Sequence, residues 1–341
     1  MKVKIGDLTR IKTGKLDANA SSEEGKYPFF TCSRETLKID NYSYDCECVL
    51  IAGNGDLNVK YYKGKFDAYQ RTYIIEDNSS GKLYMPYLYY FMEAYVEELR
   101  KQAIGGVIKY IKMGNLTDAM IELPSIEEQK KIVNTLENIR KILNLRNEEI
   151  LKLDNLIKAR FVEMFGDPIQ NPKGYLKETI NKHIDLLSGY PFKSEQYVDE
   201  GINICGGLII MPQKIKWDEC VHWSTVDGFE DYLLEENDIV MALDRPWISE
   251  GFKIAKVDAE HLPALLIQRT ARIRAVDMNQ DYLYHCFING CFDKHSNVTG
   301  SLVPHISAKD IRSFEVMIPP IELQERFATF VEEVDKSKVV V

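Results

Sequence analysis

No stretch of this chain approaches the roughly 18 consecutive apolar residues that suggest a membrane span. The opening MKVKIGDLTR also lacks the apolar core of a secretory signal. Both absences lead to the expectation of a cytoplasmic protein with no membrane partner. Cysteine is sparse, seven in 341 residues, and no two form a CxxC pair. Cys46 and Cys48 make a CxC, and Cys286 and Cys291 stand five apart. Reduced core thiols are therefore expected rather than a disulfide framework or a zinc site. The six histidines are scattered, with no HxxxH, so no metal site is expected. There is no GxxxxGK[ST] loop for a nucleotide phosphate. Also missing is the Asp/Asn-Pro-Pro-aromatic arrangement with which adenine-amino methyltransferases hold a flipped base. Gly53 and Gly55 in AGNGD form a GxG outside any βαβ context and read as a turn. The carboxylates of FEDYLLEENDIV read as a solvated loop entering a strand. The chain shows no legible catalytic residues and no cofactor site.

Positive charge is in deficit as well. The 43 Lys and Arg against 52 Asp and Glu leave a formal net charge of −9. That lowers the expectation of nucleic-acid binding without excluding it, because the deficit is uneven. Residues 1–121 carry 17 basic and 16 acidic residues, whereas 166–319 carry 15 and 23. A local basic groove can coexist with global acidity.

What is present is a repeat. LPSIEEQKKI, starting at Leu123, is echoed by IPPIELQERF, starting at Ile318. Four further anchors pair in the same order. Gly14 in RIKTGK matches Gly189 in DLLSGY, and VLIAGNG matches IVMALDR. YQRTYII matches IQRTARI, and GGVIKYIKMGNL matches GSLVPHISAKDI. Collinear anchors indicate a duplicated domain followed by a helix. The second copy holds extra residues between Gly189 and Gln268. Within each copy the β-branched runs CVLIAG, RTYIIE, DIVMAL and RTARIRAV read as strands. MPYLYYFMEAYVEELRKQ and QDYLYHCFINGCF read as helices. The fold class is α/β, at a length that favours two domains.

Residues 126–165 form the clearest element. Leu136, Leu143, Ile150, Ile157 and Met164 recur every seven residues, with Ile132, Ile139 and Leu153 in the companion row. Sustained 4-3 spacing predicts a coiled-coil seam, on a helix roughly 60 Å long at 1.5 Å per residue. Ser125 with Glu128 forms a capping box, and the Gly and Pro of FGDP stop the helix. An amphipathic helix lying on its own domain is the competing reading.

These phrases (LPSIEEQKKIVNTLENI, RFVEMFGDP, QRT and IPPIELQERF) closely resemble those of the specificity (S) subunit of type I restriction–modification systems. The resemblance covers essentially the whole chain. It implies two similar α/β target recognition domains, each followed by a long helix, at 1–121 and 122–165, then 166–319 and 320–341. It further implies that the helices pair as an antiparallel coiled coil and that each domain reads one half of a bipartite site on double-stranded DNA. The implied partners are two methyltransferase (modification) subunits, which would carry the S-adenosylmethionine, and a restriction/translocase subunit. The chain itself would be non-catalytic. One departure stands out: Val341 aligns with Arg146, so the second helix lacks counterparts of residues 147–165. On that alignment Ile150, Leu153 and Ile157 are expected to be only partly covered, which favours self-association or cover by a methyltransferase subunit.

Arg paired with guanine and Asn or Gln paired with adenine are the favoured base contacts. Gln70, Arg71, Gln268 and Arg269, which recur in both copies, are therefore the first candidates, with bracing of the fold as their alternative role. Lys109 and Lys112, and Ser301 and His305, follow from the matching loops. Asn54, Lys65 and Arg245 do not recur and are candidates for differing specificity. Two rival readings remain: a two-domain nuclease or methyltransferase with an unrecognised site, and a coiled-coil scaffold with no DNA role.

Overall fold

The computed structural model describes residues 2–289, 292 and 304–340. The chain divides into two compact units, Met1–Leu145 and Arg146–Val341.

The first unit is built on a six-stranded sheet. Its strands are β1 (Thr9–Thr13), β2 (Tyr27–Phe30), β3 (Leu37–Ile39), β4 (Tyr44–Ala52), β5 (Val59–Ala68) and β6 (Thr72–Asp77), in the spatial order β1-β6-β4-β5-β2-β3. All neighbours are antiparallel except β2 and β5. Strand β4 is buried on both faces, which is why Cys48–Ala52 reads as an unbroken apolar run. Val49 and Ile51 face one core with Ile75, while Cys48 and Leu50 face another with Phe30, Phe66 and Ile74. This is the period-2 alternation of a strand. Helix α1 (Met85–Gln102) covers the first of these cores with Met85, Leu88, Met92, Val96 and Leu99, the stripe expected of an amphipathic helix.

Helix α2 (Ile126–Phe165) runs through 40 residues. Ser125 Oγ accepts from the Glu128 N–H at 3.3 Å, and Gly166 at φ +84° ends the helix.

In the second unit the strands of the two larger sheets are β7 (Ile184–Ser188), β8 (Ile202–Cys205), β9 (Val221–Trp223), β10 (Ile239–Ala242), β11 (Ile254–Lys256), β12 (Ala264–Leu266) and β13 (Thr270–Ala275). They form a sheet β7-β13-β10-β11 and a sheet β9-β8-β12. In the first unit, β5 pairs with β4 at one end and with β2 at the other. In the second unit that path is broken into β11 and β12, and part of the extra sequence of the second copy lies between them. Helix α3 (Gln280–Asn289) is the counterpart of α1, and helix α4 (Ile321–Val340) begins within the repeated phrase.

The repeated phrase has a structural cause in its glutamine. Gln129 is fully buried. Its Oε1 accepts from the Tyr84 N–H at 2.8 Å, and its Nε2 donates to the carbonyls of Lys82 and Pro124, each at 2.9 Å. In the second unit Gln324 accepts from the Asn279 N–H at 2.9 Å and donates to the Pro319 carbonyl at 2.8 Å. Each glutamine ties the first turn of one helix to the entry of another, satisfying backbone groups that helix starts leave unpaired.

The seam differs from expectation. Phe327 of α4 packs on Phe161 and Phe165, both at 5.5 Å between ring centroids. Phe330 lies under Arg160, and Lys338 pairs with Asp154 at 2.7 Å. The contacts therefore run in opposite order along the two helices, and the end of α4 meets α2 at Asp154. Ile157 and Met164 are consequently buried, against the expectation that Ile157 would be only partly covered, while Leu153 is half-buried as expected. The exposed seam positions are Ile139, Leu143 and Ile150, at 49%, 58% and 37%. Ile132 and Leu136 are half-buried. Phe161 and Phe165, both fully buried, were not part of the predicted stripe.

Gln129→Ala leaves one N–H and two carbonyls without partners and should lower stability by about 2–4 kcal/mol. Gln324→Ala should have a comparable effect, as measured by chemical denaturation. Loss of less than about 0.5 kcal/mol in both would contradict the clamp.

Candidate nucleic-acid interface

The Gln-Arg-Thr turn is held twice by matching backbone hydrogen bonds, although Arg269 takes the left-handed backbone, at φ +63°, and Arg71 does not. The Gly14 N–H donates to the Thr72 carbonyl at 3.0 Å, and the Gly189 N–H to that of Thr270 at 3.1 Å. Gln70 and Gln268 donate through their own N–H to the carbonyls of Leu16 and Tyr190, each at 2.8 Å. The Arg71 carbonyl accepts from Gly53 at 2.8 Å, and the Arg269 carbonyl from Leu243 at 2.9 Å. The frame then reaches the matching loops: Ile111 donates to Gly53 at 2.9 Å, and Ile306 to Leu243 at 2.8 Å. Asn54 bridges Tyr110, and Asp244 bridges His305.

The repeated glycine is forced by this approach. A Cβ on Gly14 would lie 2.1 Å from the Ala68 carbonyl oxygen, and one on Gly189 2.0 Å from that of Ile267. Thr72 and Thr270 are buried and donate their hydroxyls to the carbonyls of Phe30 and Ile267. Bracing is thus done by backbone groups and by the threonines. All four side chains of Gln70, Arg71, Gln268 and Arg269 are exposed.

Around the turns the two units diverge. In the first, Thr13, Gly53, Gln70, Arg71, Tyr73 and Ile111 line a shallow cavity of about 230 Å³. The Tyr73 hydroxyl donates to the Ile111 carbonyl at 3.1 Å, and burial raises its pKa. Lys109 joins this cluster through its carbonyl, which accepts from Gly55 at 2.9 Å, and Lys112 follows Ile111 with its side chain exposed. Lys65 has a different partner, its ammonium standing 4.7 Å from the Tyr42 ring centroid.

In the second unit the cavity is larger, about 540 Å³, with Gln268, Arg269, Asp244 and Arg245 beside apolar Ile204, Leu208 and Ile267. Asp244 stands where the first unit has Asn54. Its carboxylate lies 3.3 Å from Arg269 Nη1 and 2.7 Å from His305 Nδ1. Arg245 stands where the first unit has Gly55, and both take the left-handed backbone, at φ +46° and +70°. A non-glycine residue there costs about 1–3 kcal/mol, so the second unit keeps a guanidinium at a position that glycine would fill without strain. Ser301 lies outside the described residues. Asp244, which gathers two of the expected residues, was not singled out from sequence, although it adjoins Arg245 in IVMALDR.

Gly14→Ala and Gly189→Ala should each destabilise by about 1–3 kcal/mol through overpacking. Gln70→Ala and Arg71→Ala should stay within about 0.5 kcal/mol. Denaturation of all four variants separates bracing from contact, and a large loss in Arg71→Ala would return that side chain to a bracing role.

Residues 1–155 and 189–339 match the family model described as the Type I restriction modification DNA specificity domain. The chain is 40% identical over 137 residues to the Type I restriction enzyme EcoDI specificity subunit of Escherichia coli; that match covers 40% of this chain and 30% of the relative's length. It is 23% identical over 363 aligned residues to the MjaVIII specificity subunit of Methanocaldococcus jannaschii, covering 98% of this chain and 85% of that one. The fold is similar to that of the S subunit of the type I restriction-modification system from M. genitalium. That comparison has a TM-score of 0.60 at 16% identity and covers 99% of this chain and 90% of the other. On the extent of the family match, this chain belongs to the type I restriction–modification DNA specificity family.

Proposed function

We propose that the chain is the sequence-reading subunit of a type I restriction–modification complex, with each unit reading one half of a bipartite site on double-stranded DNA. The observation that carries this reading is the turn held twice by the same backbone hydrogen bonds, with its Gln and Arg side chains exposed and its neighbours changed. A shared set of backbone hydrogen bonds presents Gln and Arg at matching positions, with the backbone of Arg269 turned to the left-handed region. The substitutions Asn54 to Asp244 and Gly55 to Arg245 then give the two units different donors and acceptors. Phosphate contacts position such a domain, and a few side chains at base edges specify the sequence. Lys109 and Lys112 suit the first task; Gln70, Arg71, Gln268, Arg269, Arg245 and His305 suit the second.

Helix α2 continues from one unit into the other, and its contacts with α4 are those of an antiparallel two-helix seam, supporting a coiled-coil spacer. Methyl transfer and cleavage would belong to partner subunits: two methyltransferase subunits binding S-adenosylmethionine, and a restriction/translocase subunit. Among the described residues no group of three or more His, Cys, Asp or Glu could hold a metal ion, and no helix is long and apolar enough to cross a membrane.

Mapping the methylated positions in DNA from cells carrying single variants tests the division of labour. Arg71→Ala should relax or lose recognition in one half of the site only, and Arg269→Ala in the other. Each should weaken binding to the preferred base by about 1–3 kcal/mol. Loss spread over both halves from either variant would contradict independent readout.

A further inference from the structure

Because the two units share one frame, they can be compared position by position, and one buried charge stands out. Ala52 donates its N–H to the Asn58 carbonyl at 3.0 Å, and Ala242 donates to the Lys253 carbonyl at 3.1 Å. Ala52 pairs with Thr72, and Ala242 with Thr270, so Asn58 and Lys253 are counterparts. Their side chains also do the same work. Asn58 Nδ2 donates to the Cys32 carbonyl at 2.9 Å, and Lys253 Nζ donates to the Gly207 carbonyl. Cys32 and Gly207 are themselves equivalent, each standing two residues beyond a parallel strand pair, Phe30 with Ala68 and Cys205 with Leu266.

In the first unit an amide makes that bond, with the Lys60 ammonium on the next carbonyl, that of Ser33. Lys253 adds a cation that is only 6% exposed. Burying an ammonium is costly unless its charge and its donors are satisfied. Of its three N–H donors, one reaches Gly207, and among the described residues no carboxylate pairs with it. The two carboxylates on the cavity wall are otherwise engaged, Asp244 with Arg269 and His305, and Glu219 with Lys216 at 2.9 Å. Burial, and secondly the charge of Arg245, push the Lys253 pKa down, so this cation lies among groups that disfavour it.

We infer that Lys253 is a DNA-contacting residue of the second unit, its ammonium at the floor of the 540 Å³ cavity receiving a hydrogen-bond acceptor of the DNA. That acceptor is either a non-bridging phosphate oxygen or the O6/N7 edge of a guanine. Gln268, Arg269 and Arg245 line the same cavity and converge on one acceptor-rich group. The inference rests on the DNA-reading function proposed above and adds a residue whose positional counterpart in the first unit, Asn58, is uncharged.

The test uses the full chain in complex with its methyltransferase subunits and a duplex carrying the site methylated in cells with the wild-type chain. Binding is measured over a salt series for wild type, Lys253→Asn and Lys253→Met. Lys253→Asn restores the amide brace of the first unit and should unfold at the wild-type temperature, yet bind more weakly. If the acceptor is a phosphate, the slope of log K against log salt should shrink by about 0.9, with a uniform loss across variant duplexes. If it is a guanine, the slope should hold. The loss, roughly 5- to 150-fold, should then be confined to duplexes with guanine at one position of the second half-site, and 7-deazaguanine there should weaken wild-type binding similarly. Wild-type affinity and slope in Lys253→Asn, with loss in Lys253→Met alone, would reduce Lys253 to a brace and overturn the inference while leaving the proposed function standing. Failure of the wild-type complex to bind the duplex at any salt would overturn both.

Discussion

The close approach of a glycine to a backbone carbonyl, made once in each unit, is the constraint on which the rest depends. With no side chain at Gly14 or Gly189, the end of an edge strand can lie against the strand leading into the Gln-Arg-Thr turn. That contact brings the carbonyls of Thr72 and Thr270 within reach of the glycine N–H. The turn is then closed from the other side by Gly53 and Leu243 on the carbonyls of Arg71 and Arg269. The backbone groups of the turn are held by the frame, so the side chains of Gln70, Arg71 and Gln268 are left to the solvent and that of Arg269, also exposed, meets Asp244. The duplication preserves the frame and frees its neighbours to change.

A second constraint works at the helices. A buried amide at Gln129 and Gln324 joins helices α2 and α4 each to its unit through backbone partners, which fixes where the helix starts without relying on apolar contacts alone. From that start, helix α2 has two different surroundings. Its last turns enter the core of the second unit with Ile157, Phe161, Met164 and Phe165. Its middle keeps Ile139 and Leu143 at the surface. The heptad pattern predicted the apolar stripe. Which part of the stripe is covered depends on the direction in which α4 runs, and periodicity carries no direction. Aligning the helices by the repeat assigned the cover to the wrong end.

Much of the frame was legible in the sequence because the residues that recur are those whose replacement the backbone cannot accept. Gly14 and Gly189 avoid a clash, Thr72 and Thr270 bond backbone carbonyls from buried positions, and Gln129 and Gln324 satisfy helix starts. The strands and the two aromatic-rich helices were equally visible in their apolar periods. The local chemistry of the second unit was not. The hold of Asp244 on Arg269 and His305 joins residues far apart in sequence, and Lys253 becomes unusual only when set beside Asn58. Such pairings depend on register, and the breaking of one long strand into β11 and β12 hid that register from a sequence comparison.

The account makes the two units independent readers on one frame, and exchanging one reader tests this most directly. Residues 174–317 would be replaced by the matching segment of another specificity subunit whose site is known, leaving helix α2 intact, and the methylated positions in the host DNA would be mapped. The predicted result is a site with one half replaced by that of the donor, the other half unchanged and the spacing between them preserved. A change in both halves, or in the spacing, would contradict the account.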